Sequence, residues 1–366
     1  MKRGSRLLAS FIVFLPWIVS QPARADHENA QTILGQWQRF QARLHVLKPT
    51  KVRPALALSK NQEAVTRIAG AAKSFADDTM SAIVIENGDL LFEGYANGTD
   101  RESKLSAYSM TKSLTALAVG EAFCAGKIKS LSDPASMYSP QLAGTAYGSA
   151  SVRNLLSYTS GAQDPGGDGY AGIHDRSDFR AMAEHKLSLV DLMKKYGEAR
   201  FEPGKKFIYN GLDSEALSLV VRGATGMPLP KWFEATVWQK AGAEFEAGWF
   251  LDRDGDGVAE MLFFATTRDF ARIGLYVLDR LTAKSNDACM NEFMKDAATP
   301  HVQKGYWEAA PRFGLGLHVG ADGNTWVFGH GGQRIGINAT TGRVVATNGS
   351  RQWRGYDSQV QSLLAY

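Results

Sequence analysis

The chain has 366 residues, of which 44% are hydrophobic, 21% charged and 10% aromatic, with 37 Gly, 12 Pro and 2 Cys. Those proportions exclude a disordered chain, a collagen-like repeat and a disulfide-dense miniprotein, and the length allows two or three domains or one large two-part unit. Lys2, Arg3, Arg6 and Arg24 account for the whole formal charge of +4, so residues 26–366 are formally neutral and carry no electrostatic signal for a nucleic-acid or anionic-membrane partner.

Lys2, Arg3 and Arg6 precede an apolar run from Leu7 to Ser20, interrupted by Pro16, and Ala23-Arg24-Ala25 follows. This pattern predicts a secretory signal peptide over residues 1–25. The run falls short of the roughly 20 residues that span a bilayer, and no Cys follows it, so neither an anchor nor a lipoprotein is expected. A periplasmic or secreted protein is the expectation, monomeric and free of the membrane after cleavage. Cys124 and Cys289 are the only thiols; an oxidising compartment lets them pair if geometry permits, whereas the apolar setting of Cys124 suits a buried free thiol equally well.

No repeat or Pro/Ser-rich linker divides residues 26–366, which read as one unit. Two apolar runs, 80–86 and 90–95, flank an Asn-Gly-Asp turn at 87–89 and predict a β-hairpin. Residues 109–125 carry apolar side chains at helical spacing and end at Gly126, a helix stop. The middle, about 107–266, is rich in turn signals and short helical patterns such as 214–224 and 229–240. Strand patterns return at 313–319, 325–329, 334–338 and 344–348, and 357–364 reads as a last helix. Strands at both ends with helices between them imply one sheet assembled from about 26–106 and 267–366, with a mostly helical part inserted.

Ser109-Met110-Thr111-Lys112 is an S-x-x-K at the start of a predicted helix. Residues three apart share a helix face, so the Lys112 amine can reach the Ser109 hydroxyl. A serine needs a neighbouring base to become a nucleophile, and a lysine desolvated in a pocket can be neutral enough to serve. The partial positive charge of the helix N-terminus favours a developing oxyanion. About one S-x-x-K is expected by chance in a chain this long, so the motif gains its meaning from its surroundings. Tyr209 follows Pro203-Gly204 in FEPGKKFIYNG, and His330-Gly331-Gly332 lies among the C-terminal strands.

This order, S-x-x-K, then Pro-Gly-x-x-x-x-Tyr, then a His-x-Gly strand, resembles the serine β-lactamase-like hydrolases: class C β-lactamases, D-peptidases, family VIII esterases and the 6-aminohexanoate-dimer hydrolases. The segments AYSMTKSLTAL, VRNLLSYTSGA, PGKKFIYNGLDSEAL, ATTRDFARIGLYVL and GHGGQRIGI extend the resemblance over about residues 81–350, with most likeness to the hexanoate-dimer and esterase branch. It implies an α+β, β-lactamase/transpeptidase-like fold, an antiparallel sheet flanked by helices with an inserted helical subdomain. It further implies Ser109 as the acylated nucleophile, Lys112 as its base and Tyr209 as a second proton-transfer group. The backbone N–H groups of Ser109 and Gln333 would form the oxyanion hole, and Asn210, His330, Gly331 and Gly332 would line the substrate. No cofactor is implied.

The departures are Tyr209-Asn210-Gly211 in place of Tyr-x-Asn, and His330 where β-lactamases carry Lys. Both remove polar anchors for a β-lactam, so an ester or a small amide is the expected substrate, with β-lactamase or D-peptidase activity, or a cell-wall or ligand-binding protein of the same fold, as alternatives. Asp252-Arg253-Asp254-Gly255-Asp256-Gly257 matches the first half of a calcium loop with Glu260 at position 9, but Phe263 stands where a bidentate Glu is required. A solvated acidic turn is the competing reading. Cys-based metal sites are excluded by count, and none of the seven His falls in an H-x-x-x-H spacing.

Overall fold

Asn87 and Gly88 both adopt positive φ, +50° and +90°, the combination a tight two-residue hairpin turn requires. In the computed structural model, which describes residues 30–51, 55–163, 170–171, 176–304, 309–350 and 355–366, that turn joins two of the strands on which the molecule is built. The signal-peptide pattern of residues 1–25 lies outside the described residues. The chain opens with α1 (Ala30–Phe40), β1 (Leu44–Leu47) and α2 (Gln62–Asp78), and continues through the hairpin β2 (Ser81–Glu86) and β3 (Asp89–Tyr95) to β4 (Leu105–Ser106) and α3 (Met110–Cys124). The central stretch holds α4 (Ala146–Ser149), α5 (Val152–Leu156), β5 (Tyr170–Ala171), α6 (Arg176–Ala183), α7 (Leu189–Lys195), β6 (Tyr209–Asn210), α8 (Gly211–Thr225) and α9 (Leu229–Phe233). After β7 (Ala247–Phe250), β8 (Phe263–Ala265), α10 (Thr267–Leu281) and α11 (Ala288–Ala297) come β9 (Val302–Gln303), β10 (Arg312–Phe313), β11 (His318–Val319), β12 (Thr325–Gly329), β13 (Gln333–Asn338), β14 (Arg343–Asn348) and α12 (Tyr356–Ala365).

The main sheet is antiparallel, in the order β3-β2-β14-β13-β12-β11-β10-β9. The pairing of β2 on β14, with Ser81 opposite Asn348, joins an early segment of the chain to a late one. Alternate residues of one strand point to opposite faces. Ile83 and Ile85 therefore enter the core that holds α3 and α10, while Ala82 and Val84 meet α2 and α12 on the other face. Burial on both faces explains why these strands are continuously apolar. Each fully buried Val or Ile contributes about 1.5–3 kcal/mol.

Helix α3 is buried all round from Met110 to Ala122, as the central helix of an inserted α-rich part must be. It is approached closely on two sides: the Phe293 ring of α11 fills the place of a Cβ at Gly120, and Gly316 leaves room for Ala116. Cys124 and Cys289 are bonded to one another, with Cα atoms 5.6 Å apart, and tie the end of α3 to α11. Of the two states left open by sequence, the chain adopts the disulfide.

Three details differ from the sequence expectation. The middle stretch contains strands β7 and β8, which form a second sheet in the order β1-β7-β8-β4. Short, fully buried runs such as AGWF have no alternation to distinguish them from helix. The expected strand 313–319 is two short strands, β10 and β11, because Gly316 turns at φ +73° and the Cβ of any other residue at Gly314 would overlap the Ala297 carbonyl. The 229–240 helix is α9 followed by a wider π turn, Glu234–Trp238. Among the described residues no helix is long and apolar enough to cross a membrane.

Candidate active site

Tyr108 holds φ at +45°, in the left-handed region, a conformation that costs a non-glycine residue about 1–3 kcal/mol and tends to be kept where function requires it. The next residue, Ser109, is the N-cap of α3, half-buried, and Lys112 lies one turn on, buried. Lys112 Nζ is 3.2 Å from Ser109 Oγ and donates to the Glu260 carbonyl at 2.8 Å. Burial pushes the Lys112 amine below the ordinary lysine value, with Glu260 and Glu215 pulling it back. A lysine so placed gives up its proton more readily than one in water.

Tyr209 reaches the same point from the other side: Lys112 Nζ is 5.3 Å from its ring centroid. The Pro203-Gly204 segment positions it by docking on the strained turn after α5, where Gly204 N–H donates to Thr159 O at 2.7 Å and Ile208 N–H to Tyr158 O at 2.9 Å. Tyr158 is itself left-handed at φ +54° and packs edge-on against Tyr209, ring centroids 5.2 Å apart, with its hydroxyl 2.8 Å from Ser214 Oγ. Asn210, expected against substrate, is buried with its side chain engaged inside the fold. Its Oδ1 accepts from Leu212 N–H at 3.0 Å as the cap of α8, and its Nδ2 donates to Tyr147 Oη at 3.3 Å. That cap fixes where α8 begins and so where Tyr209 stands. Gly211, the first residue of α8, brings no side-chain amide to the position that follows.

The third segment is the turn between β12 and β13. Gly329 lies against the Ala107 carbonyl, with no space for a Cβ, which sets this turn beside the start of α3. Gly331 and Gly332 take φ of +71° and +98°. A Cβ on Gly332 would stand 2.8 Å from Tyr356 Cζ, and Tyr356 Oη donates to the Gly332 carbonyl at 2.7 Å. The Gln333 side chain is spent on the turn: Nε2 donates to His330 O and Gly349 O, both at 2.8 Å, while Oε1 accepts from Asn348 Nδ2 and Gly349 N–H. His330 is exposed and meets the Tyr108 ring edge-on at 5.8 Å.

Sequence reading missed four buried groups around this centre. Glu215 and Glu260 lie beneath Lys112, the Glu260 carboxylate 3.9 Å from Nζ. His318 stands 6.0 Å from Tyr209 between ring centroids and shares a 2.7 Å hydrogen bond with Lys304. Burial pushes Lys304 down to about 7, and burial with the charges of Lys304, Arg334 and Lys112 holds His318 well below its ordinary value. A polar residue inside an apolar helix pattern, as Glu215 is in α8, was the one available signal. The acidic turn is closed by the protein itself. Asp252 Oδ1 accepts from Asp254 and Asp256 N–H and its Oδ2 from Leu189 N–H, while the Arg222 guanidinium lies 2.7 Å from Asp256. Arg222 thus pairs with one of the loop's carboxylates, and among the described residues no three His, Cys, Asp or Glu are grouped to hold a metal.

A family model described as beta-lactamase matches residues 66–352. This chain belongs to the beta-lactamase family of serine hydrolases. Over 209 residues it is 27% identical to the 6-aminohexanoate-dimer hydrolase of Paenarthrobacter ureafaciens, covering 55% of this chain and 52% of that one. Over 170 residues it is 28% identical to a beta-lactamase of Pseudomonas fluorescens, covering 44% of each. The matched part thus spans about half the length of these curated relatives. Among solved structures, a candidate 6-aminohexanoate-dimer hydrolase from Bacillus anthracis superposes with a TM-score of 0.72 at 18% identity, covering 94% of this chain and 97% of its own. EstCE1, a hydrolase with promiscuous acyltransferase activity, gives 0.66 at 18% identity over 83% of this chain and 99% of its own. These likenesses establish the fold expected from the resemblance.

Proposed function

We propose that this member of the family is an exported serine hydrolase that cleaves a carboxylic ester or small amide through an acyl-enzyme on Ser109. The observation that carries the reading is the 3.2 Å approach to the Ser109 hydroxyl of a buried lysine whose amine burial lowers below the ordinary value. Neutral Lys112 takes the Ser109 proton as Oγ bonds to the substrate carbonyl carbon. The resulting oxyanion faces the backbone N–H groups of Ser109 and Gln333, with the N-terminal end of α3 behind it. Collapse breaks the bond to the alcohol or amine, which leaves with a proton delivered through Tyr209. Water then attacks the Ser109 ester by the same proton path in reverse, releasing the acid and restoring the hydroxyl.

Gly211 and His330 in place of amide and lysine anchors favour simple esters and linear amides over β-lactams, and the 27% identity to a 6-aminohexanoate-dimer hydrolase supports the amide branch. Export is supported by the pattern of residues 1–25 and by the Cys124–Cys289 bond, which suits an oxidising compartment. The test is a hydrolysis panel on residues 26–366 with p-nitrophenyl butyrate, a linear aminohexanoate dimer, a D-Ala-D-Ala peptide and nitrocefin, for wild type and Ser109→Ala. Ester or amide turnover that vanishes in the variant is expected. Dominant nitrocefin turnover would reassign the substrate, and no turnover by wild type would favour a binding protein.

A further inference from the structure

The acidic turn between β7 and β8 ends by sending Glu260 into the catalytic centre. Residues 257–260 are strapped down one after another. Ser218 Oγ donates to Gly257 O and Trp249 Nε1 to Val258 O, both at 2.7 Å, and Thr115 Oγ1 donates to Ala259 O at 3.4 Å. The two oxygens of Glu215 then accept separately from Ala259 N–H at 2.7 Å and Glu260 N–H at 3.1 Å. Glu215 and Glu260 are both without solvent exposure. So many anchors on four residues, two of them reaching from α8, hold one backbone carbonyl and one carboxylate against Lys112.

We propose that Glu260, clamped by Glu215, is a positioning residue for Lys112: it aims the amine's lone pair at Ser109 and sets the pH at which Lys112 becomes a base. A neutral amine has two N–H bonds and one lone pair. With Nζ 2.8 Å from the Glu260 carbonyl, one N–H is committed there, which leaves two positions on nitrogen for the second N–H and the lone pair, and the lone pair in one of them meets Ser109 Oγ at 3.2 Å. The Glu260 carboxylate, 3.9 Å from the same nitrogen, favours the ammonium and so opposes the desolvation that drives the proton off. The balance between these two effects, rather than burial alone, fixes where Lys112 titrates.

The titratable groups facing Lys112 come from each neighbouring element: Glu215 from α8, Glu260 from the β7–β8 turn, Tyr209 from β6 and His318 from β11, with Tyr158 behind Tyr209. Burial lowers His318 well below its ordinary value and raises the Tyr158 hydroxyl well above its own. Burial and the charge of Glu260 raise Glu215. Glu260 and Glu215 both act on Lys112 by charge, Glu260 the more strongly of the two, with its carboxylate 3.9 Å from Nζ.

This inference rests on the serine-hydrolase reading, and the experiment separates the two. The rate of Ser109 phosphonylation by a fluorophosphonate, in which Oγ displaces fluoride from phosphorus, is followed by intact mass from pH 5 to 10 for wild type, Glu260→Gln, Glu260→Asp and Ser109→Ala. Removal of the carboxylate charge should move the acid limb of the Glu260→Gln profile to lower pH by about one to three units, and Glu260→Asp should move it the same way by less. A purely structural role would scale the rate equally at every pH, and an unmoved limb, or one moved upward, overturns the inference. Should Glu260→Gln fail to fold, the Glu260→Asp limb decides by the same criterion. Absence of any wild-type adduct at Ser109 would instead defeat the underlying reading.

Discussion

Cys124, in the last turn of α3, is bonded to Cys289, in the first turn of α11 and 165 residues further along the chain. The bond closes a loop that contains Tyr209, Glu215, Glu260 and the β7–β8 turn, so it constrains the unfolded chain across much of the catalytic unit. The double variant Cys124→Ser/Cys289→Ser should lose about 2–5 kcal/mol of stability. Urea unfolding of the oxidised wild type, with and without reductant, measures this; equal midpoints would show that the bond adds nothing.

Ser109→Ala should lower kcat by on the order of 10³-fold or more, since the proposed nucleophile is gone. Lys112→Arg is the sharper variant. It keeps a long basic side chain beside Ser109 but one that stays protonated at any working pH, so ester hydrolysis should fall about as far as in Ser109→Ala. Retention of substantial activity in Lys112→Arg would assign the base to another residue.

Tyr209→Phe removes the hydroxyl and leaves the packing against Tyr158 in place. Loss of a general acid typically costs about 10²–10⁴-fold. The deficit should be large for an amide, whose amine must be protonated to leave, and small for a p-nitrophenyl ester. Comparison of kcat/KM on the two substrates in wild type and variant reads the difference, and equal losses on both would place Tyr209 elsewhere in the mechanism.

Glu244 illustrates a charge that serves stability. Its buried carboxylate lies 2.6 Å from Arg272, 2.9 Å from Arg268 and 3.1 Å from Arg101. Burial would raise this carboxyl, but hydrogen bonds from Arg268 and Arg272 outweigh it and hold it at about 2. Because the folded value lies below the unfolded one, its stabilisation is complete above about pH 4.5 and is lost as pH falls toward 2. Glu244→Gln strands buried guanidinium groups and should cost about 3–5 kcal/mol at pH 7. The gap to wild type in thermal or urea unfolding should narrow between pH 4.5 and 2.

Gly332→Ala should damage both stability and activity. At φ +98° the new methyl group would lie 2.8 Å from Tyr356 Cζ, and forced overpacking of this kind typically costs about 1–3 kcal/mol. Tyr356→Phe in the same background gives the methyl group little more room, because the ring remains, and should not restore hydrolysis. Wild-type kinetics in Gly332→Ala would show that the turn carrying Gln333 adjusts without consequence.

Sequence alone made the hairpin at Asn87-Gly88, helix α3, the C-terminal strands and the S-x-x-K pair Ser109 and Lys112 legible, because each is written in local chemistry, whereas the place of Tyr209 in the proposed site came from the family resemblance. A turn needs residues that accept positive φ, a helix needs apolar side chains at 3.6-residue spacing, and S-x-x-K places its two groups one helical turn apart whatever surrounds them. Strands β7 and β8 were not legible, since a buried three- or four-residue strand has no period of its own and exists only because β1 and β4 pair with it.

The same division runs through the site. Asn210 looked like a substrate contact because it follows Tyr209, yet the helix beginning at Gly211 claims its side chain as a cap. Glu260 fell at a ligand position of a partial calcium loop by its spacing from Asp252. Its actual surroundings, Lys112 and the Glu215 clamp, come from α3 and α8 and are assembled only by packing. Sequence determined which functional groups the chain carries and their local geometry along one helix or turn. Tertiary structure decided which of them meet, whether Cys124 finds Cys289, and how far burial moves the Lys112 proton, because desolvation and contact are properties of segments brought together from distant parts of the chain.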